Sequence, residues 1–282
     1  MARPHIEYIQ SQWLPWRKGI AGGARPDVFK KILSIDKDDG SCSLLVHYPP
    51  GWSRTSVEHL RATEEFFVLD GALTINDVHY EKNTYAFLPA GFPRRRTFST
   101  DGAVVLTFFS RTPVAVAGSV GPEGYDRTRL IEYHSAPDKA WGNTEKHESS
   151  PEFNSTGTGY QLFREDPDTG ERTWILGVRA FWQGGNVEIH PVVEEAYVIA
   201  GSMIGGKGER KAGAYFWRPP GLEHGPMGSP LGAVVLFRCV GGPLTTTFID
   251  KGTFTWDPEY EPVLPPHLMK YADRPYTGGR NY

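Results

Sequence analysis

An internal repeat constrains this chain more than any other feature. At an offset of 130 residues, Glu64-Glu65-Phe-Phe-Val-Leu-Asp-Gly71 returns as Glu194-Glu195-Ala-Tyr-Val-Ile-Ala-Gly201. Tyr85 returns as Tyr215, and Pro89-Ala-Gly91 as Pro219-Pro-Gly221. Gly102-Ala-Val-Val-Leu106 comes back letter for letter as Gly232-Ala-Val-Val-Leu236. Spacing that is kept together with wording means one structural unit occurs twice. A length of 282 residues accommodates two units, each with a core of its own.

Within each copy the apolar runs are short, rich in Val, Ile, Phe, Tyr and Trp, and broken by Gly, Pro, Asn and Asp: 43–48, 65–69 and 103–110, then 174–182, 196–199 and 233–240. Such runs read as strands, and no long stripe at a period of about 3.6 residues competes with them. With Gly 32 and Pro 23 supplying turns, the chain reads as all-β, each half a sandwich or barrel that hides its sheet edges. The organisation expected is an N-terminal arm over 1–25, a first barrel over 26–125, a polar connecting segment over 126–157, a second barrel over 158–250, and a Pro- and aromatic-rich C-terminal arm over 251–282.

Charge and cysteine content exclude several classes of function. A net charge of -3 offers no polycationic face to nucleic acid or anionic lipid. Two cysteines, Cys42 and Cys239, are too few for a disulfide framework, which fits a reducing, cytoplasmic setting. The longest uncharged run, 225–237, is too short and too glycine-rich to span a membrane, and the N-terminus lacks the apolar stretch of a secretory signal.

Chemistry concentrates in the second copy. Glu188 and His190 alternate, so a strand places both on one face. Glu194 follows four residues later across a turn at Pro191, and His224 stands three residues beyond Gly221. Imidazole and carboxylate donors in this number suit one divalent transition metal, Fe(II) foremost, with Mn, Zn, Ni or Co as alternatives. Arg238 shares a strand face with Val234 and Leu236. If that face is the barrel interior, Arg238 can bind a substrate oxyanion; an outward salt bridge is the other reading. Trp182, Tyr215, Trp217 and Phe237 are available to line an apolar pocket.

The pattern His190, three residues, Glu194, six residues, Gly201, then Pro219-x-Gly221-x-x-His224 resembles the two motifs of the cupin superfamily. The match covers roughly 60 residues of each half. With two halves the chain resembles a bicupin, which implies tandem cupin barrels of the double-stranded β-helix, or jelly-roll, kind. The paired glutamates before Val-x-x-Gly are most similar to cupins related to anti-sigma-factor metal-binding domains and to small dioxygenases that cleave activated ketones. The family's usual His-x-His is here Glu188-x-His190, an exchange that alters the charge of the site.

The resemblance implies a metal held by Glu188, His190, Glu194 and His224, with Glu188 as fourth ligand or base and Arg238 as a substrate-binding group. The function it implies is a non-haem-metal dioxygenase acting on a small oxygenated compound, with no nucleic-acid or membrane partner and a homodimeric state. Its alternatives are a metal- or ligand-sensing module and a cupin isomerase, hydrolase or decarboxylase. In the first copy the nearest histidine is one residue out of step, as if an extra residue preceded Glu64. The corresponding positions then read Val57, His59, Glu64 and Arg94, and an arginine among them argues for a metal-free first barrel.

Overall fold

The structure is a computed structural model that describes residues 3–121, 124–143 and 158–282. It divides into two compact units: Leu14–Asp138 forms the body of the first, and Pro4–Trp13 with Lys139–Asn281 forms the second. In the first unit the main sheet runs Ile131–Ser135, Thr84–Leu88, Glu64–Ile75, Ala103–Phe109, Cys42–Tyr48, Phe29–Ile35 and Arg17–Lys18, every neighbour antiparallel. In the second the order is Ile6–Gln10, Ala214–Arg218, Val193–Gly205, Ala233–Val240, Arg172–Val178, Thr158–Glu165 and Gly142–Asn143. The two orders correspond place for place. The all-β class expected from the repeat and the jelly-roll barrels implied by the resemblance are both found.

The repeated glycines have a mechanical reason. The longest strand of each unit bends at Gly71 or Gly201, where a bulge shifts the register and φ is +68° or +72°. A Cβ there would stand 2.1 Å from the Gly102 carbonyl oxygen or 1.9 Å from that of Gly232, so only glycine fits. Beyond the bend each strand leaves the main sheet and pairs with a short hairpin partner, Val78–Glu81 or Gly208–Lys211, which starts the second layer.

Each sheet is completed by a strand from outside the repeat. Ile131–Ser135 lies within the stretch expected as a connection, yet it pairs with Thr84–Leu88; residues 144–157 of that stretch fall outside the described residues. Ile6–Gln10, within the expected N-terminal arm, pairs with Ala214–Arg218 in the second unit. Thr84–Leu88 and Ala214–Arg218 are repeat equivalents, so both units cover the same edge with a borrowed strand, which removes an open ladder of N–H and C=O groups.

Inside the barrels, alternate residues of these strands form the cores. Phe66 and Ala86 face one another in the first core, and Ala196 and Phe216 in the second. Large and small have changed strands while the filled volume is kept. Among the described residues no helix is long and apolar enough to cross a membrane.

Candidate metal centre

The strand Asn186–Ile189 runs antiparallel to Thr247–Lys251 and ends just before Pro191, whose missing N–H cannot continue a ladder. On its other side Glu188 and His224 form a directly opposed pair. The Glu188 N–H donates to the His224 carbonyl at 2.8 Å, and the His224 N–H donates back to that of Glu188 at 3.0 Å. Gly221, at φ +77°, turns the chain so that its N–H reaches the His190 carbonyl at 2.8 Å. Three side chains thereby converge inside the second barrel. His224 Nε2 lies 3.4 Å and His190 Nε2 3.9 Å from Glu188 Oε1, and the two imidazole centroids are 4.9 Å apart. One ligand atom from each of Glu188, His190 and His224 lies within 4.8 Å of the others, and all three side chains are buried.

The hydrogen bonds of the rings select the tautomer. His190 Nδ1 is 3.0 Å from the Thr245 carbonyl oxygen, and His224 Nδ1 is 3.0 Å from that of Leu222. A carbonyl only accepts, so each Nδ1 carries the proton and each Nε2 turns a lone pair toward Glu188. His224 Nε2 is buried with no hydrogen-bond partner, a costly state for a neutral core nitrogen and an ordinary one for a metal ligand. Donors about 2.1 Å from one ion stand about 3.0–3.4 Å apart in octahedral or tetrahedral arrangement, close to the spacing here. The donor set therefore fits a divalent transition metal.

Glu194, the fourth expected ligand, stands one step aside. Its Oε2 is 3.5 Å from His224 Nε2, and it accepts from Arg218 Nη1 at 2.8 Å. Arg218 donates in turn through Nε and Nη2 to Glu7, at 2.6 and 2.7 Å, and Glu7 also receives Arg210. Burial pushes the Glu194 carboxyl up. Arg218, by its charge and its hydrogen bond, helps pull it further down, so it stays ionised below the usual carboxylate range. Glu7 lies well below that range: burial raises it, and Arg218 and Arg210 outweigh the burial. Sequence reasoning missed Arg218 and Glu7. The signal available was an arginine closing the otherwise apolar run Ala214-Tyr-Phe-Trp-Arg218, where the first copy has Leu88.

Two further expectations are corrected. The interior face of Ala233–Val240 is that of Val235, Phe237 and Cys239, so Arg238 points away from the barrel interior. Its Nη1 donates to Glu195 Oε1 at 2.7 Å, and Tyr215 donates to Glu195 Oε2 at 2.8 Å. Tyr215 and Trp217 occupy that opposite face too, where they meet Ile6–Gln10, whereas Phe237 stacks on Trp174 in the core. Of the four expected aromatics Trp182 lines the pocket that opens beside Glu188, together with Gly184, Gly185, Asn186, Met227 and Phe248.

In the first unit the register differs from the one expected. Glu58 opposes Arg94 just as Glu188 opposes His224, and the Gly91 N–H bonds the Leu60 carbonyl at 2.8 Å as Gly221 bonds that of His190. No extra residue precedes Glu64. The equivalents of the metal centre are Glu58, Leu60, Glu64 and Arg94, not Val57, His59, Glu64 and Arg94. Val57 is exposed, and His59, one residue out of phase with the inward face, turns Nδ1 to within 3.0 Å of the Gly118 carbonyl oxygen.

Fold and site together define a protein of two cupin-like jelly-roll barrels in one chain, with a candidate metal centre in the second. The chain belongs to the family described as a domain of unknown function, DUF4437, whose model matches residues 7–244. No curated protein matches the sequence. Among solved structures, a "putative dioxygenase" of Nostoc punctiforme is similar at a TM-score of 0.75 and 17% identity, over 88% of both chains. A point mutant of Bacillus subtilis oxalate decarboxylase is similar at a TM-score of 0.57 and 12% identity, over 86% of this chain and 79% of that one. Another structure of that decarboxylase, similar to the same extent, was used to study its Mn(II) centres.

Proposed function

We propose that the protein is a metal-dependent enzyme acting on a small oxygenated organic compound, and that its reaction is dioxygenolytic cleavage of a C–C bond in a diketone, hydroxyketone or aromatic ketone. The observation that carries this reading is the pair of buried imidazoles whose Nδ1 protons are spent on carbonyls while both Nε2 atoms face the Glu188 carboxylate. Two histidines and one carboxylate favour Fe(II); the Mn(II) centres of the structurally similar oxalate decarboxylase make manganese the principal alternative. When bound, such an ion would polarise a chelating substrate and, if iron, activate dioxygen.

The chain's own residues supply the rest. Glu188, His190 and His224 form the ligand set. Arg218 holds Glu194 as an anion beside His224, which keeps a fixed negative charge at one wall of the site. Trp182, Met227 and Phe248 give the pocket beside Glu188 an apolar wall.

The test is elemental analysis of anaerobically purified protein, followed by oxygen uptake with a panel of diketones and aromatic ketones under iron, manganese or zinc loading. About one equivalent of metal per chain is expected, lost in His190→Ala with His224→Ala. One O2 should be consumed per substrate cleaved with iron, both atoms appearing in the two products, and none with zinc. Unchanged metal content in the double variant, or no uptake with any metal, overturns the reading.

A further inference from the structure

The centre of the first barrel holds a different chemistry. Arg25 donates through Nη1 to Glu64 Oε1 and through Nη2 to Glu64 Oε2, both at 2.6 Å, and Arg94 Nη2 donates to Oε2 at 2.6 Å. One carboxylate is thus shared by two guanidiniums, and all three side chains are at most 3% exposed. The next carboxylate, Glu58, stands opposite Arg94 in the strand register, but it pairs with a third arginine, the half-buried Arg54, at 2.5 Å. These five groups carry one positive charge in excess. At the equivalent place in the second unit, Glu188, Glu194 and Glu7 face Arg210 and Arg218, an excess of one negative charge that suits a cation. The same position in the two barrels has opposite electrostatic demand.

Buried charge without a counter-ion is expensive, and so is a buried donor without an acceptor. Both occur here. Arg94 Nε is buried with no hydrogen-bond partner although Arg94 is only 2% exposed. The Tyr48 hydroxyl, fully buried, accepts from Arg25 Nη1 at 2.7 Å, which leaves its own proton to donate. Burial pushes the Arg94 guanidinium down; Glu64 opposes this and the like charge of Arg25 adds to it, so Arg94 is the member of the group that most lacks compensation.

From the shared carboxylate, the excess positive charge and the unspent Arg94 donor we infer that the first barrel binds one small monovalent anion, of the size of chloride or formate, at Arg94 Nε. The anion makes the group electrically neutral and takes the place that a metal would fill in the second barrel. This inference is independent of whether the second barrel holds a metal.

The full chain is heated in chloride, formate, sulfate or gluconate at equal ionic strength. Chloride and formate should each raise Tm by about 3–5 °C in a saturable way, whereas bulky gluconate should not. In Arg94→Gln the excess charge and the Nε donor disappear together while Arg25 still holds Glu64, so the anion-specific rise should vanish. Equal effects of all four anions, or an unchanged rise in Arg94→Gln, overturn the site. Crystals of the unaltered protein soaked in bromide provide a second measurement that needs no variant. An anomalous peak within about 3.5 Å of Arg94 Nε supports the inference, and a map without one rejects it.

Discussion

Arg218 shows how one side chain sets the state of its neighbours. Fully buried, it joins Glu194 to Glu7, and its own protonation is secured because the charges and hydrogen bonds of Glu7 and Glu194 together outweigh burial. Replacing it by Met would strand Glu194 in the core and leave Glu7 with Arg210 alone, at a cost of about 3–5 kcal/mol measurable by urea unfolding. The sign of the pH dependence follows from the same group. Glu7 and Glu194 have folded-state values below an unfolded value of about 4.3, so their contribution is complete above that pH and is lost as the pH falls through the folded-state values. In Arg218→Met the guanidinium no longer opposes the burial of Glu194, so acid unfolding should begin at a higher pH than in the unaltered protein. Identical acid transitions in the two proteins would show that the pairing does not govern these carboxylates. At this scale the candidate ligands Glu188, His190 and His224 were legible from spacing, because alternation along a strand and a fixed repeat offset place them together. Arg218 and Glu7 were not, since 211 residues separate them in the chain.

Strands obey the repeat more strictly than side chains do. The Phe66–Ala86 and Ala196–Phe216 pairs keep one volume in two orientations, so Phe66→Ala should cost about 3–5 kcal/mol, and adding Ala86→Phe should recover at least about 1 kcal/mol. Strict additivity in that double-mutant cycle would deny that the two positions share one space. The corrected register leads to a second experiment. If Glu58, Leu60 and Arg94 truly occupy the places of Glu188, His190 and His224, then Leu60→His with Arg94→His should raise metal stoichiometry from about one toward about two per chain. A value that stays at one would separate ligand capacity from this register. The misplaced histidine had a simple cause. His59 was aligned by residue type, whereas strand alternation puts it on the outward face and leaves Leu60 inside.

Across the whole molecule, chain order and unit membership part company at the N-terminus. Pro4–Trp13, which precede the body of the first unit in the sequence, belong to the second unit, where Ile6–Gln10 covers a sheet edge and Glu7 pairs with Arg210 and Arg218. Deleting residues 1–13 should therefore raise hydrogen exchange in Ala214–Arg218 by orders of magnitude and leave Glu64–Ile75 protected. Equal loss in both strands, or in neither, would contradict this assignment of the segment. The sequence by itself determined the duplication, the all-β class, and the three residues that meet in the second barrel. Each of these depends on the period of a strand or on a constant offset, which are local properties written in residue order. Only the tertiary structure decided that Glu194 is tied to Arg218, that Arg238 faces away from the barrel interior, that Arg25 enters the first barrel to share Glu64 with Arg94, and that segments outside the repeat supply edge strands. Those outcomes follow from charge pairing and edge coverage between residues far apart in the chain, where the partner is chosen by burial in three dimensions and leaves no period to read.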